Sequence, residues 1–528
     1  MVLVSFLEES TGRAPDKTAL VCGPARVSYR TLERAANRIA HGLRDLGVRR
    51  GDRVAVCLES SLEHVEALCG ALKAGAVIMP VNATTKAEKL VRLLDDAEAT
   101  VLVLGSHKLV AVGEAVARAR TLRDVVVVGD TRSHPQINAR LVAYDTLVDA
   151  GNPAPPPKRH IDVDLAALIY TSGSTGDPKG VMLTHQGLVS ATRAIAATLG
   201  NHAGDVVVQV LPLSFGYGLT QLLTMLCVGG TLVLERSFAF PQVTLQRIAE
   251  ERATGFAMVP TIAAMLLQYD LRAHDLSSLR YVTNAGAALP PPMLMKLRER
   301  LPHAHVIPMY GQTECVRASF MPATELDLRP GSVGRGMPNQ DHWLVDEDGR
   351  RLPDGSTGEL VVRGAHVMRG YWRKPELTQE KLRVPVDVEL PPGERALFTG
   401  DIFRSDAEGF LYFVSRRDDI IKTRGEKVSP REIEAVLTSL DGVSEAFVAG
   451  VPDVVLGEAV HAWIVPAEGV ALTERPVLRH CAAHLEDFAV PNTVVFVDEL
   501  PRTANGKIDK QALVGNAGGS QWTSAATF

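Results

Sequence analysis

One eleven-residue run, Tyr170-Thr171-Ser172-Gly173-Ser174-Thr175-Gly176-Asp177-Pro178-Lys179-Gly180, concentrates glycines, aliphatic hydroxyls and a lysine. Glycine lets backbone turn tightly and approach a ligand closely. Exposed N–H groups, hydroxyls and a cation together suit a polyphosphate. The run is not a Walker A loop, because Lys179 follows Pro178 and is followed by Gly180 rather than by Ser or Thr. The competing reading is a flexible Gly/Ser surface loop.

Five further stretches carry polar groups that could do chemistry. Tyr310-Gly311-Gln312-Thr313-Glu314 follows the apolar Val306-Ile307-Pro308-Met309, so it stands at the end of a strand, where open α/β sheets bind ligands. Thr399-Gly400-Asp401 reads alone as a turn. Ser415-Arg416-Arg417-Asp418-Asp419 reads alone as a charged turn with local ion pairs. The small residues of Asn284-Ala285-Gly286-Ala287-Ala288-Leu289 fit tight helix–sheet packing, and Gly506-Lys507 fits a late, solvent-exposed loop.

Taken together, in their order along the chain and at these spacings, the stretches resemble the adenylate-forming enzymes: acyl-CoA synthetases, adenylation domains of peptide synthetases, and luciferases. The resemblance runs over residues 28–513. It implies an α/β chain: a large N-terminal domain of α/β subdomains with a β-rich subdomain, residues 1–416, and a small mobile α+β C-terminal domain, residues 417–528. It implies ATP, with its phosphates held by Thr171, Ser172, Gly173, Ser174, Thr175, Gly176 and Lys179. Tyr310 would lie against adenine, Thr313 near the α-phosphate, and Glu314 on Mg²⁺, a cation that takes oxygen ligands and shares them with phosphates. Asp401 would accept hydrogen bonds from both ribose hydroxyls and Arg416 would contact the ribose; Ser415 stands where the family more often has glycine. Gly286 and Ala287 would let nucleotide and acyl group pack against backbone. Asp418 matches the hinge. Lys507 would bridge the substrate carboxylate and the α-phosphate, where charge builds in the transition state. Gly425 matches a glycine lining the pantetheine tunnel; the alternative is a glycine supplying positive φ to a turn.

The acid is less legible. Leu211-Pro212-Leu213-Ser214-Phe215-Gly216-Tyr217-Gly218 corresponds to the mouth of the family's acyl pocket. Amino-acid adenylation domains usually carry Phe-Asp there, the Asp holding the α-ammonium. Gly216 offers no such partner, and an unpaired buried charge is costly. The expected substrate is therefore a carboxylic acid without an α-amino group. The expected acceptor is coenzyme A, and the alternative is a separate phosphopantetheinyl carrier protein. The Gly518-Gly519-Ser520 stretch lies too near residue 528 for a surrounding carrier domain, which favours a stand-alone ligase.

These residues need a scaffold. Apolar recurrence predicts a helix over residues 28–47, and strands and helices then alternate: strand 53–58, helix 62–72, strand 76–80, helix 86–97, strand 100–104. Alternation of this kind points to a parallel sheet covered by helices. Residues 151–158, with four prolines, read as an extended connector. Strands are expected at 165–169, 206–211, 231–234 and 256–259. Residues 334–412 read as antiparallel β, with Asp-Gly and Pro-Gly turns. Ser429 and Pro430 are placed to start a helix at 431, and residues 515–528 read as a disordered tail.

A chain of 528 residues needs more than one core. A net charge of −5 gives no basic footprint for nucleic acid. Six scattered cysteines without a C-x-x-C fit reduced thiols. Neither a signal peptide nor a membrane-spanning apolar run stands out, so a cytoplasmic protein is expected.

Overall fold

The computed structural model describes residues 1–131, 137–172, 178–424, 426–453, 455–503 and 507–517. They fall into two compact units, residues 1–342 with 362–398, and residues 343–361 with 399–528.

In the first unit, local chemistry sets each element. Ser28 accepts a hydrogen bond from the Thr31 N–H at 3.2 Å, capping the helix Tyr29–Asp45. Its buried stripe contains Leu32, Ala36, Ile39 and Leu43. Ser61 caps the helix Leu62–Ala74 in the same way, and Gly75 ends it at φ +89°. The alternation builds two large sheets. One runs Gly370–Tyr371, Pro178–Thr184, Leu165–Ser172, Val77–Pro80, Arg53–Cys57, Ala99–Gly105, Asp124–Val128, Arg140–Ala143. From Leu165–Ser172 onward its neighbours are parallel; Pro178–Thr184 and Gly370–Tyr371 are added antiparallel at one edge. Val54, Ala55 and Val56 are all fully buried, as strands covered on both faces must be.

The other sheet has nine strands. At its heart four neighbours run parallel in the order Val206–Gln209, Gly255–Met258, Tyr281–Asn284, His305–Tyr310. Their C-terminal ends therefore share one edge, and the segments 210–215, 259–260, 285–290 and 311–317 all leave from it. The helix Gly216–Val228 is buried nearly all round, as its apolar sequence demands.

The expected antiparallel region holds the order Gln340–Val345, Thr357–Gly364, Ala396–Ser405, Leu382–Arg383, with Leu411–Arg416 paired to Ala396–Ser405. Sequence reading missed the helix Pro375–Lys381 inside it, started by Pro375 in its first turn.

In the second unit, Ile421–Thr423, Glu426–Val428, Val443–Asp453, Gly457–Pro466 and Thr493–Phe496 form a five-stranded sheet. Ile433 and Leu437 of the helix Pro430–Ser439 pack on it with Val448, Val460, Ile464 and Val477. Ser429 precedes that helix, but its hydroxyl donates to the Val414 carbonyl (3.0 Å) rather than capping. The helix Lys510–Ala517 extends into the stretch expected to be disordered, so regular structure runs past Gly515. Among the described residues, no helix is long and apolar enough to cross a membrane, and none of the six cysteines forms a disulfide.

Candidate active site

Tyr310 is the last residue of its strand, and the chain folds back on itself directly after it. Ala318 N–H returns to the Tyr310 carbonyl at 2.9 Å, closing residues 311–317 into a tight loop. A Cβ on Gly311 would stand 2.7 Å from the Val316 carbonyl oxygen, so only glycine fits there. The loop carries Glu314 to the first unit's other sheet. Its carbonyl accepts from Met368 N–H (2.7 Å), and its Oε1 accepts from the Tyr371 hydroxyl (2.7 Å).

Tyr371 links two of the motifs. It pairs with Val181 in the strand Pro178–Thr184, flanked by Arg369 N–H to Met182 O (2.9 Å) and Trp372 N–H to Gly180 O (2.7 Å). That strand contains Lys179, which lies opposite Thr171. A carboxylate and the strand leaving the Gly-rich run are thus tied by one phenol and its backbone. Ser174, Thr175, Gly173 and Gly176 lie outside the described residues, as does the side chain of Ser172. Tyr371 itself was missed in the sequence; the only signal was an aromatic after a glycine in a two-residue strand.

The segment expected at the mouth of an acyl pocket leaves the C-terminal edge of the nine-stranded sheet, as the Tyr310 loop does. Phe215 precedes the helix Gly216–Val228, and a Cβ on Gly286 would lie 3.4 Å from the Phe215 ring and 3.5 Å from Val259. Gly286 has φ +88°, so its glycine is set by backbone as well as space. The buried Asn284 donates to the Ala287 carbonyl at 3.0 Å, fixing the turn on which Ala287 stands exposed. The two glycines of this segment differ. A Cβ on Gly218 would be 2.2 Å from the Pro212 carbonyl oxygen, whereas one on Gly216 would meet nothing within 4 Å. Gly218 serves packing; Gly216 leaves open space.

The second unit holds the remaining motifs. Asp401, 4% exposed, lies opposite Arg416 across a strand pair, and Arg416 Nε donates to its Oδ1 at 2.9 Å. Arg416 is largely exposed, so the contact orients more than it stabilises. Thr399-Gly400-Asp401 lies within the strand Ala396–Ser405 rather than in a turn, and the buried Glu359, not singled out in the sequence, accepts from Gly400 N–H (2.8 Å) and pairs with Arg417 (3.0 Å), holding that strand just before Asp401. Asp418 is exposed in the short 3-10 turn Arg417–Asp419, and its neighbour Asp419 pairs with Lys510 at 2.9 Å. Lys507 is exposed; its carbonyl accepts from Thr503 N–H (2.7 Å), and Asp509 N–H reaches Pro501 O (2.7 Å), so both sides of its loop are clamped. Gly425 lies outside the described residues.

The described residues fit a phosphate-borne cation. They contain no group of three metal-ligating side chains. Glu314 offers one carboxylate, and the other ligands would come from phosphate and water, the usual arrangement for Mg²⁺.

Comparison with known proteins identifies the family. Residues 7–372 match the family described as AMP-binding enzyme, and residues 432–507 match the AMP-binding enzyme C-terminal domain. The chain is 32% identical to a long-chain-fatty-acid–CoA ligase of Escherichia coli O6:H1, over 98% of this chain and 95% of that one. It is also 32% identical to tyrocidine synthase 3 of Brevibacillus parabrevis over 97% of its length, but spans only 8% of that much longer protein. The crystal structure of ATP-bound MatB from Rhodopseudomonas palustris superimposes with a TM-score of 0.88 at 29% identity, covering 98% of this chain and 99% of that one. The chain belongs to the AMP-binding enzymes, the ATP-dependent adenylate-forming ligases.

Proposed function

We propose that this chain is an AMP-forming acid–thiol ligase that activates a carboxylic acid lacking an α-amino group and passes it to coenzyme A. The observation that supports the proposal is the tie from Glu314 through Tyr371 to the strand bearing Lys179, because it links the carboxylate expected on Mg²⁺ to the strand that leaves the Gly-rich run. A carboxylate oxygen of the acid attacks the α-phosphorus of ATP. The bond from that phosphorus to the bridging oxygen breaks, and pyrophosphate leaves with the electron pair. Mg²⁺ on the phosphates and Glu314 would neutralise charge there. Thr171, Ser172, Gly173, Ser174, Thr175, Gly176 and Lys179 hold the phosphates, Tyr310 the adenine, and Thr313 the α-phosphate. Asp401 and Arg416 hold the ribose, and Lys507 spans the two reacting anions. Phe215, Gly216 and Gly286 face the acid, with Ala287 beside the nucleotide. In the second step a thiol sulfur attacks the acyl carbon, AMP leaves with the electron pair, and the thiol proton passes to solvent. Asp418 serves as the hinge between residues 1–416 and 417–528, and Gly425 lines the thiol passage. Six cysteines outside any disulfide fit a reducing, cytoplasmic setting.

The likeness to tyrocidine synthase 3, a far longer protein, favours a second reading in which the acceptor is a separate phosphopantetheinyl carrier. ATP–pyrophosphate exchange over fatty, aryl and amino acids tests the first step. Thioester yield with coenzyme A against a loaded carrier tests the second. Exchange driven best by a common α-amino acid would contradict the substrate assignment.

A further inference from the structure

Only two lysine or arginine residues are buried among the described residues, Lys73 at 3% and Arg317 at 4% exposure. Lys73 is satisfied in the ordinary way, by Glu33 at 2.8 Å and Glu8 at 3.2 Å. Arg317 is not. Among the described residues no carboxylate pairs with it and no acceptor takes its side-chain N–H groups; Nε is wholly buried without a partner. Its one close neighbour of opposite character is the face of Tyr217, 4.9 Å from ring centroid to guanidinium carbon. That attraction offsets only part of the cost of drying a guanidinium. Burial accordingly pushes the Arg317 pKa down.

The backbone is strained to put it there. Val316 is β-branched yet has φ +59°, and Arg317 N–H closes a three-residue turn onto the Cys315 carbonyl at 2.5 Å. Strain of this kind persists where a site needs it. Tyr217, meanwhile, is fixed by a hydroxyl bond to Thr283 at 2.5 Å and touches Phe215 edge to face, with centroids 6.3 Å apart. Phe215 in turn covers Gly286.

We propose that Arg317 is a specificity-determining residue that pairs with a second carboxylate on the substrate, making this a ligase for dicarboxylic acids. The inference rests on the reading of Phe215 and Gly286 as acid-facing. A planar fork matches a carboxylate in two parallel hydrogen bonds. An acid lacking that group leaves the fork unpaired, a strong basis for rejection.

The test is ATP–pyrophosphate exchange with straight-chain dicarboxylic acids of graded length, each beside its monomethyl ester. For the wild type, kcat/KM for the best diacid should exceed that of its ester by about 100-fold or more. Arg317→Met should bring that ratio to near unity, and Arg317→Lys should keep part of it, with folding checked by thermal melting. A wild type that uses the ester as well as the diacid at every length overturns the proposal, and needs no variant to show it. So does an Arg317→Met ratio equal to the wild type's, or a loss confined to the KM for ATP. Robust exchange with monoacids alone would leave the ligase reading standing while removing this one. Exchange with no acid at all would remove the ligase reading itself.

Discussion

Tyr371→Phe removes one oxygen and leaves the rest of the link between Glu314 and the strand bearing Lys179 in place. The ring stays packed, because Tyr371 is 5% exposed and its backbone is held by Thr378 Oγ1 at 2.9 Å as well as by the strand pairing with Val181. What is lost is a 2.7 Å hydrogen bond to a carboxylate. A bond to a charged group contributes about 1.5–3 kcal/mol, and about 1.4 kcal/mol is one decade in rate or binding. If the bond serves to aim Glu314 at a phosphate-borne cation, the loss appears as about a 10- to 100-fold fall in acid-dependent pyrophosphate exchange. It should be partly recovered at high Mg²⁺, with the apparent Mg²⁺ requirement rising in step. If the bond serves only the fold, the loss appears in the melting temperature and the Mg²⁺ titration stays where it was. Exchange assayed across a Mg²⁺ series on folded protein separates these. Rates within twofold of wild type at every Mg²⁺ concentration would refute the role given to Tyr371.

Lys507→Ala should cut adenylation by roughly 10²–10³ while sparing thioester formation from pre-made acyl-AMP; near-normal exchange would remove Lys507 from the first step. Asp401→Ala should raise the KM for ATP about tenfold or more through lost ribose hydrogen bonds, and an unchanged ATP requirement would leave Asp401 only a strand residue paired with Arg416. Gly216→Asp should fold as wild type, since its side chain enters open space, and should shift relative exchange toward α-amino acids; an unaltered acid ranking would count against the segment's role. Burial holds the imidazoles of His64 and His366 at about 4 and of His185 at about 3. Below the unfolded value of about 6.5 the unfolded chain binds more protons, so stability present above that pH is lost as pH falls toward 4. A melting temperature flat between pH 6.5 and 4.5 would contradict this.

What could be read from the sequence was what short-range pattern encodes. The helix beginning after Ser28 was visible because its cap and apolar stripe lie within one run of residues. The strands at 53–57 and 77–80 were visible as short apolar runs between turn residues. Most of the candidate site residues came from resemblance, since Asp401 and Lys507 are chemically ordinary in isolation. The invisible parts depend on pairing over long separations. Tyr371 meets Glu314 across 57 residues, and Glu359 reaches Arg417 across 58. Arg317 gave no sign because an arginine in a loop is ordinarily solvated; only the left-handed Val316 and the ring of Tyr217 reveal that it is inside.

The four adjacent parallel strands ending at Gln209, Met258, Asn284 and Tyr310 each send out a separate segment, and Phe215, Val259, Gly286 and Arg317 come one from each. Phe215, Val259 and Arg317 can therefore be exchanged one at a time, since their neighbours in space belong to other loops and the sheet's register does not run through them, whereas Gly286 is held to glycine by its φ of +88°. A change at 216 or 317 is a local edit, not a refolding problem. For a laboratory wishing to retarget the chain, libraries combining residues 215, 216 and 317 sample acid preference with the strand Pro178–Thr184 and Glu314 left untouched. For natural descent, the same modularity lets one nucleotide-handling scaffold acquire a new acid by substitutions in a single loop at a time.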